Sequence, residues 1–489
     1  MEHKSKLMAT ASRPGQARMH AKSRRVDIFS HLPDEVALRI LCRLSIKDLT
    51  RFGCVSKRCR QLYLLSPVLH FDEFPRANTL TCGKRLKLMN CLDRYLVHRG
   101  DNKIMKFSVC WARHRLPADE ATQCFCDEYY RIMTWIHNAV RCKVQVLDLE
   151  ISMFEDMAFP SCVFPCESLV HLSLDMKCRI EVPSTFSSNL QYLDLSKVII
   201  VDEGFFKWIS CSCKVIKELN LHQVYGPKNV TIESWSLESF SLECHKLIDI
   251  CHLNISGEKL EEIFIDWKFA TPNDKSLSIF APNLEKFYWF GNFVRNPSLG
   301  NPGCLKEVGI FLDPEADDYK YVFDDVYTSS EVNFLNLNEE TIKALFRDGS
   351  MPAPFENIRH LRVHIRSFIN DLVPAMVFLF SGLHNLYTLY MKSSPPLVEP
   401  ESNNASGFVM GHWSMQNLAF IKQLKEVTIE LSHGSNGVEF AMYMLAHAQN
   451  LEKMVIIHLP KQYVRRKIKK SKNISKAKIV FKERNRDLV

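Results

Sequence analysis

The sequence predicts an α/β chain: a short helical head, then an irregular repeat solenoid with a curved β-sheet on its concave face and helices and loops on its convex face. Three observations predict it. One apolar pattern recurs along residues 144–456, three short helical patterns crowd into residues 32–65, and the net positive charge sits at the two ends. At 489 residues the chain also exceeds one ordinary core, so several domains or a repeat array are expected.

Residues 1–25 are polar and basic without an apolar period, which reads as a disordered leader. The head follows over residues 26–70. Pro33 suits a first helical position, and Asp34 with Glu35 puts negative charge in the first turn. Val36, Ile40, Leu41 and Leu44 repeat at helical spacing. Ser45 with Asp48 makes a short-side-chain capping box for a second helix through Leu49 and Phe52. Ser56 opens a third, Lys57 to Leu65, which Ser66-Pro67 ends. Three helices of about ten residues cannot enclose a large core. Apolar side chains should therefore stay partly exposed until a partner covers them.

The pattern L-x-x-L-x-L, with other large apolar residues allowed, runs from Val144/Leu147/Leu149 through Leu260/Ile263/Ile265 and Leu284/Phe287/Trp289 to Leu451/Met454/Ile456. Successive starts are 25, 21, 26, 21, 23, 24, 21, 27, 26, 28, 38 and 27 residues apart. Apart from the 38, these are leucine-rich-repeat spacings. In such a unit the first apolar residue enters the core, the pair two apart lies on one face of a short strand, and the residue between them points outward. Each unit leaves an apolar edge that only its neighbour covers, so the array folds as a stack. The repeats are assigned to residues 144–392. Residues 393–418, rich in Pro, Ser and Asn, read as a loop insertion that explains the long interval. Residues 71–143 read as a linker and N-terminal cap, with helices over 86–96 and 128–140. Residues 419–460 hold the last repeats, and 461–489 form a basic tail whose stretch from Ala477 to Lys482 is β-prone.

The formal charge of +8 changes meaning once it is located. The leader carries seven Lys/Arg and the tail twelve, which leaves 44 basic and 52 acidic residues between them. A basic nucleic-acid groove through the body is thus unsupported, and nucleic acid is not an expected partner. The longest apolar stretch, Leu372 to Leu383, is too short to span a membrane and reads as a buried helix. No secretory signal is visible, so a nuclear or cytoplasmic location is expected, without membrane partners. The 17 cysteines are scattered without a C-x-x-C pair, which favours free thiols over zinc or disulfides. None of the common nucleophile, phosphate-loop or metalloprotease motifs occurs, and no catalytic, metal or cofactor site is expected.

Residues 32–74 resemble an F-box, through Leu32-Pro33 with Asp34-Glu35, then Ile40, Leu41, Leu44, Leu49 and the run Val55-Ser56-Lys57-Arg58. A Trp commonly follows that run in the family; here the position is Cys59. The irregular repeats look like those of plant F-box/leucine-rich-repeat proteins, and residues 424–456 resemble the FBD-type unit that ends many of them. The resemblance implies a non-catalytic substrate-recognition subunit of an SCF-type ubiquitin ligase. Its F-box would dock a Skp-type adaptor, and through it a cullin–RING scaffold, while the repeats hold a target protein. Leu32, Pro33, Ile40, Leu41, Leu44, Leu49, Val55, Ser56, Lys57 and Arg58 are then the adaptor-binding residues. A leucine-rich-repeat scaffold without ligase function remains the alternative, and a concave-face receptor for a small ligand is a third.

Along the outward positions the sequence reads Asp148, Ser173, Asp194, Asn220, Ser241, Phe264, Tyr288 and Gly309. Most of this row reads as a solvated strand face. Target contact is expected where aromatics gather, at Phe264, Tyr288, Trp289 and Tyr387, because exposed aromatic side chains anchor interfaces. The tail run Arg465-Arg466-Lys467-x-Lys469-Lys470-x-Lys472 reads either as a solvated stretch or as a nuclear-import patch.

Overall fold

A computed structural model describes residues 29–71, 82–111, 128–152, 157–182, 187–270, 274–292, 294, 297–300, 302–313, 331–348, 357–365, 372–393, 419–431, 437–458, 464, 468 and 475–483. The leader, the loop insertion beyond Ser393 and the basic run of the tail lie outside these residues. The chain divides between Ser66 and Pro67 into a small unit and a large one.

The small unit is a 3-10 turn, Phe29–His31, and three helices: α1 (Asp34–Leu41), α2 (Ile46–Gly53) and α3 (Lys57–Leu65). Ser45 caps α2 by accepting from the Asp48 amide at 3.2 Å, and Ser56 caps α3 by accepting from the Cys59 amide at 3.0 Å. Ala37, Leu41, Leu49 and Leu62 form the buried centre, with Phe29, Leu32, Leu38, Leu44, Ile46, Phe52 and Tyr63 packed around it. Full burial of one such leucine contributes roughly 1.5–3 kcal/mol, so this centre is small. Arg58 adds a polar tie from α3, donating to the Leu32 carbonyl and pairing with Asp34 at 3.0 Å.

The large unit is organised by one parallel sheet of sixteen strands. Its first strands are β1 (Val68–Phe71), β2 (Lys106–Trp111) and β3 (Val146–Ile151). Each later repeat adds one, and short strands of the opposite side fall between them in the chain: β4 (Met157–Ala158), β5 (His171–Met176), β6 (Cys178–Ile180), β7 (Tyr192–Ser196), β8 (Ile199–Ile200), β9 (Glu218–His222), β10 (Asn229–Glu233) and β11 (Ser239–Cys244). There follow β12 (His252–Ser256), β13 (Glu262–Trp267), β14 (Ser276–Phe280), β15 (Lys286–Gly291), β16 (Glu307–Leu312) and β17 (Phe334–Asn338). The series ends with β18 (His360–Ile365), β19 (Thr388–Ser393), β20 (Glu426–Glu430), β21 (Lys453–His458) and β22 (Lys478–Glu483). All thirteen expected repeats supply a strand to the main sheet, and β1, β2 and β22 extend it at the two ends.

The alternation is the one the repeat dictates. In β5, β7, β9, β11 and β13 the two apolar residues of the motif pair are buried, while the residue between them is half-buried on the open face. The opposite side departs from the expected helices and loops. It also carries two three-stranded parallel sheets, β4-β6-β8 and β10-β12-β14, built from short alternating pairs such as Val230/Ile232, Leu253/Ile255 and Leu277/Ile279. Helices serve the rest: α6 (Gly204–Ser212), α7 (Glu339–Asp348), α8 (Val373–Gly382) and α9 (Gly437–His447). Helix α8 is the buried apolar stretch expected from residues 372–383.

Two longer helices precede the repeats, α4 (Cys82–Arg99) and α5 (Glu128–Arg141). Arg85 is fully buried, forked onto Glu128 by two bonds of 2.7 Å and seated over the Trp111 ring at 4.7 Å. Trp111 donates to the same carboxylate at 2.8 Å. This shields the first strands, as the end of a stack requires.

Candidate functional site

The small unit turns some apolar side chains outward. On α1, Ala37 and Leu41 face the centre, whereas the N-cap Pro33 with Val36 and Ile40, at i, i+3 and i+7, lie on the adjacent exposed stripe. Val36 and Ile40 are 43% and 44% exposed, and Val55, between α2 and α3, is 74% exposed. Ser56 and Lys57 are exposed, Arg58 is half-buried, and Leu32 and Leu44 are half-buried against the centre. Leu41 and Leu49 are core residues, 1% exposed, and are corrected from docking contacts to side chains that hold the outward stripe in place. Val36 belongs to that stripe although it was not among the docking residues read from the sequence. The signal was present, since Val36 and Ile40 stand one turn apart. Cys59 is buried, so the position where the family carries Trp points inward.

On the large unit, the open face of the sheet is ruled into rows by the parallel register. The central row runs Ser108, Asp148, Ser173, Asp194, Asn220, Ser241, Phe264, Tyr288, Gly309, Asn336, Arg362 and Tyr390. A second row, toward the C-terminal strand ends, runs Glu150, Asp175, Ser196, His222, Glu243, Asp266, Phe290 and Phe311. The first half of the face is thus acidic and polar, and the second is aromatic. Burial raises the pKa of Asp194 even though His222 and His171 pull it down.

The aromatic half is continuous. Phe264 meets Phe290 at 4.9 Å between centroids, and Phe290 stacks on Phe311 at 4.3 Å with ring planes 5° apart. Phe311 meets His364 edge-on at 5.0 Å, reaching across the intervening strand β17. Asn338 of β17 leaves that gap open because it is engaged elsewhere. Its side chain donates to the Leu312 carbonyl at 2.8 Å and accepts from the Thr341 amide at 3.0 Å, capping α7. Tyr288 donates to the Glu307 carboxylate, and its ring covers Gly309, where a Cβ would come within 2.4 Å of Tyr288 Cδ1. Glycine is required there by the ring. Arg362 sits between the rings of Phe334 and Tyr390, at 5.4 and 5.2 Å.

Of the four aromatic candidates, Phe264 and Tyr288 are neighbours in the central row. Tyr387 is 46% exposed but precedes β19, at the opposite strand edge from Phe290 and Phe311. Trp289 is corrected: it is 0% exposed and donates inward to the Asn292 carbonyl at 3.1 Å. Its place in the motif, as the inward member of Phe287/Trp289, already required this. Phe290, Phe311, Phe334, Arg362 and Tyr390 were missed because only the residue between each motif pair was read, and only as far as Gly309.

Where Phe290, Phe311 and His364 approach the strand ends, a cavity of about 390 Å³ opens. Asp266, Lys268, Asp313, Asn338, Glu339 and Glu340 also line it. Among the described residues no group of three or more His, Cys, Asp or Glu side chains is placed to hold a metal ion, and no helix is long and apolar enough to cross a membrane.

Comparison with known proteins identifies both parts. The F-box domain matches residues 29–62, and the leucine-rich repeats described for the FBD-associated F-box protein At5g56370 match residues 132–294. The putative F-box/FBD/LRR-repeat protein At4g03220 of Arabidopsis thaliana is 24% identical over 473 residues, 88% of this chain and 89% of the relative. The F-box/LRR-repeat protein At3g59210 of the same plant is 26% identical over 69% of this chain and 67% of its own length. The putative F-box/FBD/LRR-repeat protein At3g59240, also from Arabidopsis thaliana, is 24% identical over 88% and 83%. The chain is therefore an F-box joined to leucine-rich repeats, similar along its length to the F-box/FBD/LRR-repeat proteins of Arabidopsis thaliana.

Proposed function

We propose that the chain is the substrate-recognition subunit of an SCF-type ubiquitin ligase. The outward stripe Pro33, Val36 and Ile40 docks a Skp-type adaptor and, through it, a cullin–RING scaffold. The open face of the repeats holds a target protein in the nucleus or cytoplasm. The chain contributes proximity and orientation, and the bond-making groups belong to its partners.

The observation that carries this reading is the exposed apolar stripe on a head whose sequence matches the F-box domain. A head this small cannot turn those side chains inward, and exposed apolar groups gathered on one face mark an interaction surface. Replacing Pro33 and Ile40 together by alanine removes two contacts without disturbing the centre built on Ala37, Leu41, Leu49 and Leu62. Adaptor binding by this variant is expected to weaken roughly tenfold to a hundredfold, read by capture of purified adaptor on the full chain. Undiminished capture by the double variant contradicts the proposal.

A further inference from the structure

The cavity at the strand ends combines features that the aromatic row alone does not. Phe290 and Phe311 give it an apolar wall, and the other groups that line it are dominated by carboxylates: Asp266, Asp313, Glu339 and Glu340 against Lys268. Lys343 of α7 pairs with Glu339 at 2.6 Å and lies 3.6 Å from Glu340, so one cation serves two carboxylates there. The other side is served less closely. Asp313 forms no ion pair with any described residue. Asp266 reaches Lys268 only at 3.5 Å through Oδ2, and its buried Oδ1 has no hydrogen-bond partner. Burial raises the pKa of Asp266, the response of a carboxylate short of nearby positive charge. His364 Nε2 is likewise buried without a partner, and burial with Lys392 and Arg362 nearby lowers the pKa of this histidine to about 4. At neutral pH His364 is therefore uncharged and offsets none of the carboxylates.

A volume of about 390 Å³ lies within the range of ligand sites. The matching occupant has an apolar stem for the ring wall and a cationic head for Asp266 and Asp313. Basic side chains have that division, and arginine is the better fit, because its weakly hydrated planar head also packs on ring surfaces.

Resting on the receptor reading above, we propose that this cavity receives an arginine side chain of the target protein, its stem along Phe290 and Phe311 and its guanidinium against Asp266 and Asp313. Among the acidic residues that precede it, Asp148 and Asp175 already pair with Lys106 and Lys197, while Asp194 and Glu243 face histidines and continue the same preference along the face. The arginine is thus the anchor of a basic segment lying across the strands.

The test uses the full chain with N-acetyl-arginine methylamide as probe and its citrulline counterpart as the neutral isostere, read by ligand-observed saturation-transfer NMR. The arginine probe is expected to bind in the millimolar range typical of fragments, at least ~10-fold more tightly than citrulline, and more weakly as salt is raised. Asp313→Asn should weaken the arginine probe several-fold. Asp266→Asn should do the same while raising the melting temperature of the unliganded chain, because it removes a poorly compensated buried charge. A merely structural role for Asp266 would not separate stability from binding in opposite directions. Equal binding of arginine and citrulline, no binding of either, or Asp266→Asn and Asp313→Asn variants that bind as the wild type does would each overturn the proposal. Adaptor capture run on the same preparation keeps the two readings distinct. Capture without arginine binding removes the cavity proposal alone, and arginine binding without capture removes the ligase reading that the target assignment rests on.

Discussion

His364 stands where β18 meets the aromatic row, with Phe311 edge-on to it and Arg362 and Lys392 on the same open face. Its folded pKa, about 4, lies below the ordinary value of 6.5. A histidine depressed in this way stays neutral in the folded state while the unfolded chain takes up a proton. Its contribution to stability is therefore present above pH 6.5 and lost as pH falls from there toward 4. We expect on the order of 2 kcal/mol to disappear across that window, and a His364→Gln variant to show a flatter pH dependence in denaturant titrations. Cysteine behaviour follows from burial too. Burial pushes the thiols of Cys178, Cys213 and Cys244 up to about 12, so they are protonated and unreactive in the folded chain. Alkylation near pH 8 should label exposed Cys54, Cys91 and Cys211 first, and the three buried thiols only under denaturant, as peptide mapping would show.

At the scale of elements, the cap built from α4 and α5 depends on one buried charge pair. Arg85 forks onto Glu128 and lies over the Trp111 ring, and Trp111 shares the same carboxylate. Glu128→Ala would remove the carboxylate onto which the buried Arg85 guanidinium forks, and losing one partner of a buried pair costs about 3–5 kcal/mol. Chemical denaturation of the variant should show that loss, whereas Arg141→Ala, which breaks an exposed pair with Asp101, should cost less than about 1 kcal/mol. The thirteen repeat strands were legible because each carries the same three apolar positions, and repetition makes a weak signal strong. Strand β2 holds that pattern as Ile104/Phe107/Val109, yet it precedes Val144 by 40 residues, outside the repeat spacing, and so went unread. Strand β1 offers only the four residues Val68–Phe71, too few for a period. The small sheets opposite were written as short alternations too, in Val230/Ile232 and Leu253/Ile255, but loops and strands of that length share their letters. The cavity was not legible at all. It gathers residues from five strands and from the start of α7, and nothing in the local sequence of any one of them announces the others.

Across the whole molecule, charge and apolar surface are divided by unit. Residues 26–460, between the basic ends, carry 52 acidic and 44 basic residues, of which only four acidic and seven basic fall in residues 26–66, and the open face of the large unit begins acidic and becomes aromatic. The small unit, by contrast, offers an apolar stripe and the exposed basic side chains of Arg39, Lys57 and Arg60. Such a division suits a chain that joins two different partners, one through each unit. Association of the purified chain with a Skp-type adaptor and a cullin, followed by mass photometry at micromolar loading, tests that claim most directly. A one-to-one-to-one assembly is expected, forming only when the adaptor is present and lost with the Pro33→Ala/Ile40→Ala variant. A wild-type chain that stays apart from adaptor and cullin under those conditions would contradict it.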